Sequence, residues 1–96
     1  MELSKASLKK IYRLYDIALQ STHDIYYNSI YTSFFSDIIH NRLCDATILV
    51  IEDMCKRVSD DATPEQIYKR WNNSGHPVRD ALITNSIYLR VQDLSE

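Results

Sequence analysis

The chain has 96 residues, a net charge of −2, 45% hydrophobic residues and 25% charged residues, which is the composition of one globular domain rather than of a disordered segment. Its 1 Gly and 2 Pro compare with about seven and about five in an average chain of this length. So few turn-forming residues disfavour all-β folds, and the slight acidity disfavours strongly basic nucleic-acid-binding domains. We therefore expect an all-α fold, with residues 1–96 forming a single-domain bundle of four to five helices.

The compartment can be predicted from what the composition lacks. No stretch of about 18 apolar residues is present, so we expect no membrane span, and the first ten residues lack the apolar segment of a secretory signal. Cys44 and Cys55 are too few for a disulfide scaffold and fit a reducing compartment. The prediction is a cytoplasmic protein.

The first segment, residues 4–20, has the periodicity of an amphipathic helix. Its apolar side chains fall within one arc of about 120°: Leu8, Ile11, Tyr12, Tyr15, Ala18 and Leu19. Leu14 and Ile17 lie off this stripe, so we predict that they face a second surface and contact a partner. Lys5, Lys9, Lys10 and Arg13 make the segment basic, while residues 16–65 hold nine acids against three bases.

Two further helices are predicted between residues 25 and 58. Ser21 to Asp24 is a cluster of cap-type residues that predicts a break between the first helix and the second, with one continuous helix as the alternative because no Gly or Pro enforces the break. Residues 25–41 carry a broad aromatic and aliphatic face. The stretch from Asp45 to Asp53 contains a β-branched run that resembles a buried strand. We favour a helix because spacings of three and four persist over a longer span: Leu43, Thr47, Val50, Met54 and Val58.

The last third of the chain begins with its clearest local signal. Thr63, Pro64 and Gln66 form the pattern of a capping box, with proline at the first helical position. A short helix should follow, and a turn containing Gly75 should end it. Residues 78–94 have a mixed pattern that favours a helix, with an extended conformation of residues 83–94 as the alternative.

Metal-binding and hydrolytic motifs are weak. Asp37, His40 and Cys44 are spaced by three and four residues, and Ser36 precedes His40 by one helical turn. The chain has no CxxC, HxxxH or HExxH pattern and no glycine-rich segment for an oxyanion hole. We predict no catalytic residue, no metal and no cofactor.

The N-terminal bases could contact phosphates or an acidic partner. They are Lys5, Lys9, Lys10 and Arg13. Tyr12 is the one aromatic residue among these bases and offers little for base stacking, and the rest of the chain is acidic, so a solvated helix face is the favoured interpretation.

Arg70 and His76 are separated by five residues near the turn at Gly75. This spacing resembles the Arg-x(4–6)-His motif of the HEPN superfamily of helical nucleases. The resemblance implies an all-α ribonuclease in which Arg70 would stabilise phosphate charge and His76 would transfer protons. It covers two residues, and Trp71 stands where that family usually has a polar residue.

The aromatic content favours a different function. Seven Tyr, 2 Phe and 1 Trp are many for this size, and Tyr, Trp and Arg dominate binding hot spots. We predict a small non-catalytic protein-binding module, such as an adaptor, a regulator or a stoichiometric inhibitor of the kind found in phages and mobile elements. Its partner is another protein or a second copy of the chain, with nucleic acid disfavoured. The predicted contacts are Leu14, Ile17, Tyr68, Arg70, Trp71 and His76.

Two alternatives to this function stay open. The first is the HEPN-like ribonuclease, or an inactive relative of it, built on Arg70 and His76. The second is a helix-turn-helix DNA-binding regulator formed by the helices that flank residues 72–77. The few bases near that turn weaken the second alternative.

Overall fold

The computed structural model describes residues 1–21, 25–73 and 78–95, and in these segments every regular element is an α-helix. The five helices are α1 (Lys5–Gln20), α2 (Ile25–His40), α3 (Asp45–Arg57), α4 (Pro64–Asn73) and α5 (Val78–Ser95). They pack into a body measuring 44 × 26 × 24 Å. This confirms the all-α bundle, and none of the helices described has the length and apolarity of a bilayer span.

Cap hydrogen bonds mark the starts of α1 and α4. Ser4 caps α1, because its side chain accepts a hydrogen bond of 3.2 Å from the backbone N–H of Ser7. The capping box of α4 is complete: the Thr63 N–H donates to Gln66 Oε1 at 3.0 Å, and the Gln66 N–H donates to Thr63 Oγ1 at 3.2 Å. α1 ends at Gln20 and α2 begins at Ile25, which agrees with the predicted break, while residues 22–24 of the predicted cap cluster lie outside the described residues.

One hydrophobic core joins all five helices. Its least exposed large side chains come from α1 to α5 in turn: Ile11, Leu14, Phe35, Ile38, Ile51, Met54, Ile67 and Val78. Trp71 of α4 and Phe34 of α2 also belong to it. The core therefore runs through the whole bundle, and α1 contacts α2, α3 and α4.

The orientation of α1 corrects one prediction. Leu14 is 1% exposed and lies in the core, whereas Tyr12 and Leu19 of the predicted apolar face are 52% and 50% exposed. The buried positions Ser7, Ile11, Leu14 and Ala18 follow a four-three-four spacing along one side. Because α1 is covered by three other helices, the face that includes Leu14 contacts them rather than a partner.

α3 and α5 settle the two ambiguous segments. The β-branched run is helical from Asp45 to Arg57, and the buried side of this helix is centred on Ile48, Ile51 and Met54 rather than on Val50. Residues 83–94 lie inside α5, so the extended alternative is wrong. For α3, long-range packing favours the helix, because β-branched residues tolerate a helix when one face is buried.

Candidate partner-binding site

The inner face of α5 is held against the bundle by buried polar contacts. The apolar and amide side chains buried on this face are Val78, Leu82 and Asn85. Asn85 is 1% exposed; its Oδ1 accepts a hydrogen bond of 2.6 Å from Cys44 N, and its Nδ2 donates one of 2.8 Å to Arg42 O. The Thr47 hydroxyl adds a hydrogen bond of 3.3 Å to Ala81 O. These contacts determine which side of α5 faces solvent.

The outer face of α5 is an uncovered apolar stripe. It consists of Ile83, Ile87, Val91 and Leu94, which are 59%, 59%, 58% and 81% exposed. At 100° per residue these positions lie between about 120° and 180° around the helix from Asn85. Tyr88, 47% exposed, borders the stripe. Clustered apolar side chains in water are typical of interaction surfaces, whereas scattered ones are ordinary.

The second half of α5 contributes little to the core. From Ser86 to Ser95, Leu89 is half-buried and every other residue is exposed. In this half the described residues make one side-chain ion pair to the rest of the bundle, between Asp93 and Arg42 at 3.4 Å. Nearly three turns of helix are therefore presented to solvent with most of their apolar side chains uncovered.

Tyr68, a predicted contact residue, is part of an aromatic cluster that joins α2, α4 and α5. Its ring lies 5.6 Å from that of Phe34 and 5.4 Å from that of Tyr31, measured between centroids. The Arg79 guanidinium donates a hydrogen bond to the Tyr68 hydroxyl and its Cζ lies 5.5 Å from the ring centroid. Because Tyr68 is half-buried and bonded in this way, only part of its side chain is accessible to a partner.

The other predicted contact residues that the structure describes differ in their exposure. Trp71 is 3% exposed and packs in the core, while the exposed Arg70 lies on α4 with its Cζ 5.9 Å from the Trp71 ring centroid. Ile17 is 38% exposed on α1, and Leu14 is buried as described above. His76 lies outside the described residues, so only Arg70 of the nuclease-like pair is placed.

The basic residues of α1 are not simply a solvated face. Lys10 Nζ donates to the carbonyl oxygens of Cys55 and Val58 at 2.9 and 2.8 Å and pairs with Asp60 at 3.3 Å. Arg13 Nη2 donates to Ala62 O at 3.0 Å. Since α3 ends at Arg57, Lys10 satisfies carbonyl groups that a helix C-terminus leaves without partners. These two bases connect α1 to the segment that follows α3.

Asp37, His40 and Cys44, whose spacing was weighed for a metal site, lie at the end of α2 and before α3. His40 is the last residue of α2 and packs edge-on against Tyr15 at 6.5 Å between ring centroids. Cys44 precedes α3, and the Thr47 hydroxyl, 3.2 Å from its sulfur, lowers the pKa of the thiol. Among the residues that the structure describes, no group of three or more His, Cys, Asp or Glu could hold a metal ion.

Sequence analysis missed the outer face of α5, although a signal was present. Residues 78–94 look poorly patterned because apolar residues occur on two opposite sides of the helix. Two interleaved helical stripes have this appearance. No known family model matches the chain, and no curated protein or solved structure matches it either.

Proposed function

We propose that the protein is a small non-catalytic protein-binding module whose partner contacts the outer face of α5. The observation that carries the proposal is the stripe of Ile83, Ile87, Val91 and Leu94, exposed on the side opposite the buried Asn85. A helix that is apolar on two opposite sides is suited to a position between two packed layers. The bundle supplies one layer, and a partner protein supplies the other.

The stripe suits an α-helical or grooved partner surface. Side chains four residues apart on a helix form a ridge, and such ridges pack into the grooves of a facing helix. The exposed part of α5 spans residues 86–95, about 15 Å, which matches the short anchor pattern of helix-in-groove recognition. The predicted contacts on Tyr68 and Arg70 would lie outside this ridge and are not needed for it.

The same face is unsuited to the helix-turn-helix alternative. A recognition helix enters the major groove with polar and basic side chains directed at bases and phosphates. The outer side of α5 carries four exposed aliphatic side chains with Arg90 as the one base beside them, and Arg79 near the start of the helix is bonded to Tyr68. For the ribonuclease alternative, Arg70 alone is placed, so we make no separate proposal for it.

The test compares two double variants of equal chemistry. Ile87→Glu with Val91→Glu places charges on the stripe, and Tyr12→Glu with Leu19→Glu places them on exposed apolar residues of α1, which are 52% and 50% exposed. Circular dichroism should show that both fold, because all four positions are exposed. Affinity capture from the native host followed by mass spectrometry then identifies the partner. Light scattering of the purified proteins gives their oligomeric state.

The proposal predicts that only the α5 variant loses a stoichiometric partner in the capture experiment. Calorimetry with the recombinant partner should show binding weakened at least about a hundredfold, a loss typical of hot-spot disruption. A second copy is an allowed partner: a dimer that dissociates only in the α5 variant supports the proposal as well. A protein that stays monomeric and captures no stoichiometric partner, or a partner lost equally in both variants, would refute it.

A further inference from the structure

A groove between α1 and α3, separate from the α5 stripe, has an excess of positive charge. Its volume is about 710 Å³, and its charged lining comprises four cationic and two anionic side chains: Lys9, Lys10, Arg13, Lys56, Glu52 and Asp60. Ala6 and Cys55 add apolar lining between the charges. A cationic groove is unexpected in a chain with a net charge of −2.

Both carboxylates of the groove are already occupied. Glu52 accepts three hydrogen bonds, from Ser4 N at 2.6 Å, Ser4 Oγ at 3.1 Å and Ser7 Oγ at 2.7 Å. Asp60 pairs with Lys10 at 3.3 Å. Lys10 directs its remaining hydrogen bonds to two backbone carbonyls, as described above, so it is also occupied.

Three cations remain without a carboxylate within 4 Å among the described residues. Lys9 and Lys56 are exposed, and Lys56, one helical turn beyond Glu52, helps to lower the pKa of that carboxyl group electrostatically but forms no ion pair with it within 4 Å. Among the described residues, Arg13 makes one hydrogen bond, to Ala62 O, which holds its guanidinium at the groove and leaves other N–H donors for a ligand. These charges come from two helices and face one groove.

The arrangement suits separated carboxylates better than a compact phosphate. A phosphate site on a helix uses the backbone N–H groups at its N-terminus, but at the start of α1 the N–H of Ser4 donates to Glu52 and that of Ser7 donates to Ser4 Oγ. Lys9 and Arg13 are about 6 Å apart along α1, and Lys56 lies on the other helix. Spaced cations match spaced acidic side chains.

We propose that the groove between α1 and α3 binds an acidic peptide segment of a partner protein, with Lys9, Arg13 and Lys56 contacting its carboxylates. This site is independent of the α5 stripe. Charge complementarity of this kind sets orientation and association rate, and it weakens as salt screens the charges.

The probe is a fluorescein-labelled oligo-glutamate peptide, with oligo-glutamine as the neutral control, and binding is followed by fluorescence anisotropy at low and high ionic strength. The groove variant is Lys9→Glu with Lys56→Glu. The matched control is Lys5→Glu with Arg90→Glu, which makes the same change in net charge at exposed positions outside the groove lining. Circular dichroism verifies that all variants are folded.

We expect salt-sensitive binding of oligo-glutamate that falls about tenfold or more in the groove variant and less than about threefold in the control variant. Ile87→Glu should leave this binding unchanged, which separates it from the proposed function. Equal losses in the two charge variants, binding of oligo-glutamine with equal affinity, or complete displacement by equimolar pyrophosphate would each overturn the proposal. Absence of oligo-glutamate binding at low ionic strength would overturn it too.

Discussion

Replacing Asn85 with alanine should destabilise the bundle more than any substitution on the outer side of α5. The side chain is 1% exposed and makes two hydrogen bonds, of 2.6 Å from Cys44 N and of 2.8 Å to Arg42 O. Both partners are backbone groups of the connection between α2 and α3. The substitution leaves a donor and an acceptor without their partner in a partly buried place.

The magnitude follows from the cost of unsatisfied polar groups. Each such group costs about 1–3 kcal/mol, so Asn85→Ala should lower the free energy of unfolding by about 3 kcal/mol. In a domain of this length that corresponds to a fall of about 12–24 °C in Tm. Asn85→Asp keeps an acceptor for Cys44 N but loses the donor to Arg42 O and introduces a buried charge, so it should not restore stability.

The assay is urea and thermal unfolding followed by circular dichroism, with Thr84→Ala as the control. Thr84 is the exposed neighbour of Asn85 on α5, and its substitution should change stability by less than about 0.5 kcal/mol. Hydrogen exchange gives a local measurement, because the Cys44 amide should lose protection in Asn85→Ala. A loss of stability below about 1 kcal/mol, with the Cys44 amide still protected, would refute the role assigned to Asn85.

Three further predictions concern contacts at the ends of helices. Lys10→Met keeps the apolar stem but removes the ammonium group that bonds two carbonyls and Asp60, so it should lower the free energy of unfolding in urea by about 2–3 kcal/mol. Equal stability of Lys10→Met and the control Lys5→Met would contradict this. Burial alone would raise the pKa of Glu52, but the hydrogen bonds from the start of α1 outweigh it and the pKa is lowered from 4.5. The stabilisation from ionised Glu52 is therefore present above the unfolded-state pKa and is lost as pH falls through the lower folded-state pKa. Glu52→Gln should make the free energy of unfolding less dependent on pH in the acidic range. An unchanged pH dependence would contradict this role of Glu52. Thr63→Ala should lower stability by about 1 kcal/mol in thermal unfolding by removing one half of the capping box, and a change no larger than that of an exposed mid-helix threonine would contradict the box.

The sequence predicts those parts of the fold that depend on local chemistry. The capping box at Thr63 and the break after Gln20 involve residues close together in the chain, so their physics is visible in the pattern. The rotation of α1 was missed because it depends on how many helices cover it, and three do. Leu14 is buried by those neighbours, and a single-helix wheel contains no information about them.

The predicted site shows the same difference between local features, which the sequence predicts, and long-range packing, which it does not. Tyr68, Arg70 and Trp71 are adjacent in sequence and were therefore predicted to act together, but helical geometry sends the Trp71 ring into the core and leaves Arg70 exposed. The role of Lys10 was invisible because its acceptors lie on α3 and beyond it, more than 40 residues away. Long-range contacts determine whether each of these side chains is buried, exposed or hydrogen-bonded, and residue type alone does not.

The outer face of α5 supports the proposed function because its exposed apolar side chains would be unfavourable in a protein that has no partner. Burying an aliphatic side chain of this size stabilises a protein by about 1.5–3 kcal/mol, and four such side chains on one stripe remain in water. The inner face already holds α5 in place through Asn85 and the core, so polar residues on the outer face would be compatible with the same fold. Aliphatic residues that are more than half exposed give the isolated bundle only part of the stability that full burial would supply, and they raise its tendency to associate. They become favourable when a second surface covers them, which is the physical reason to look for the partner at Ile87 and Val91 first.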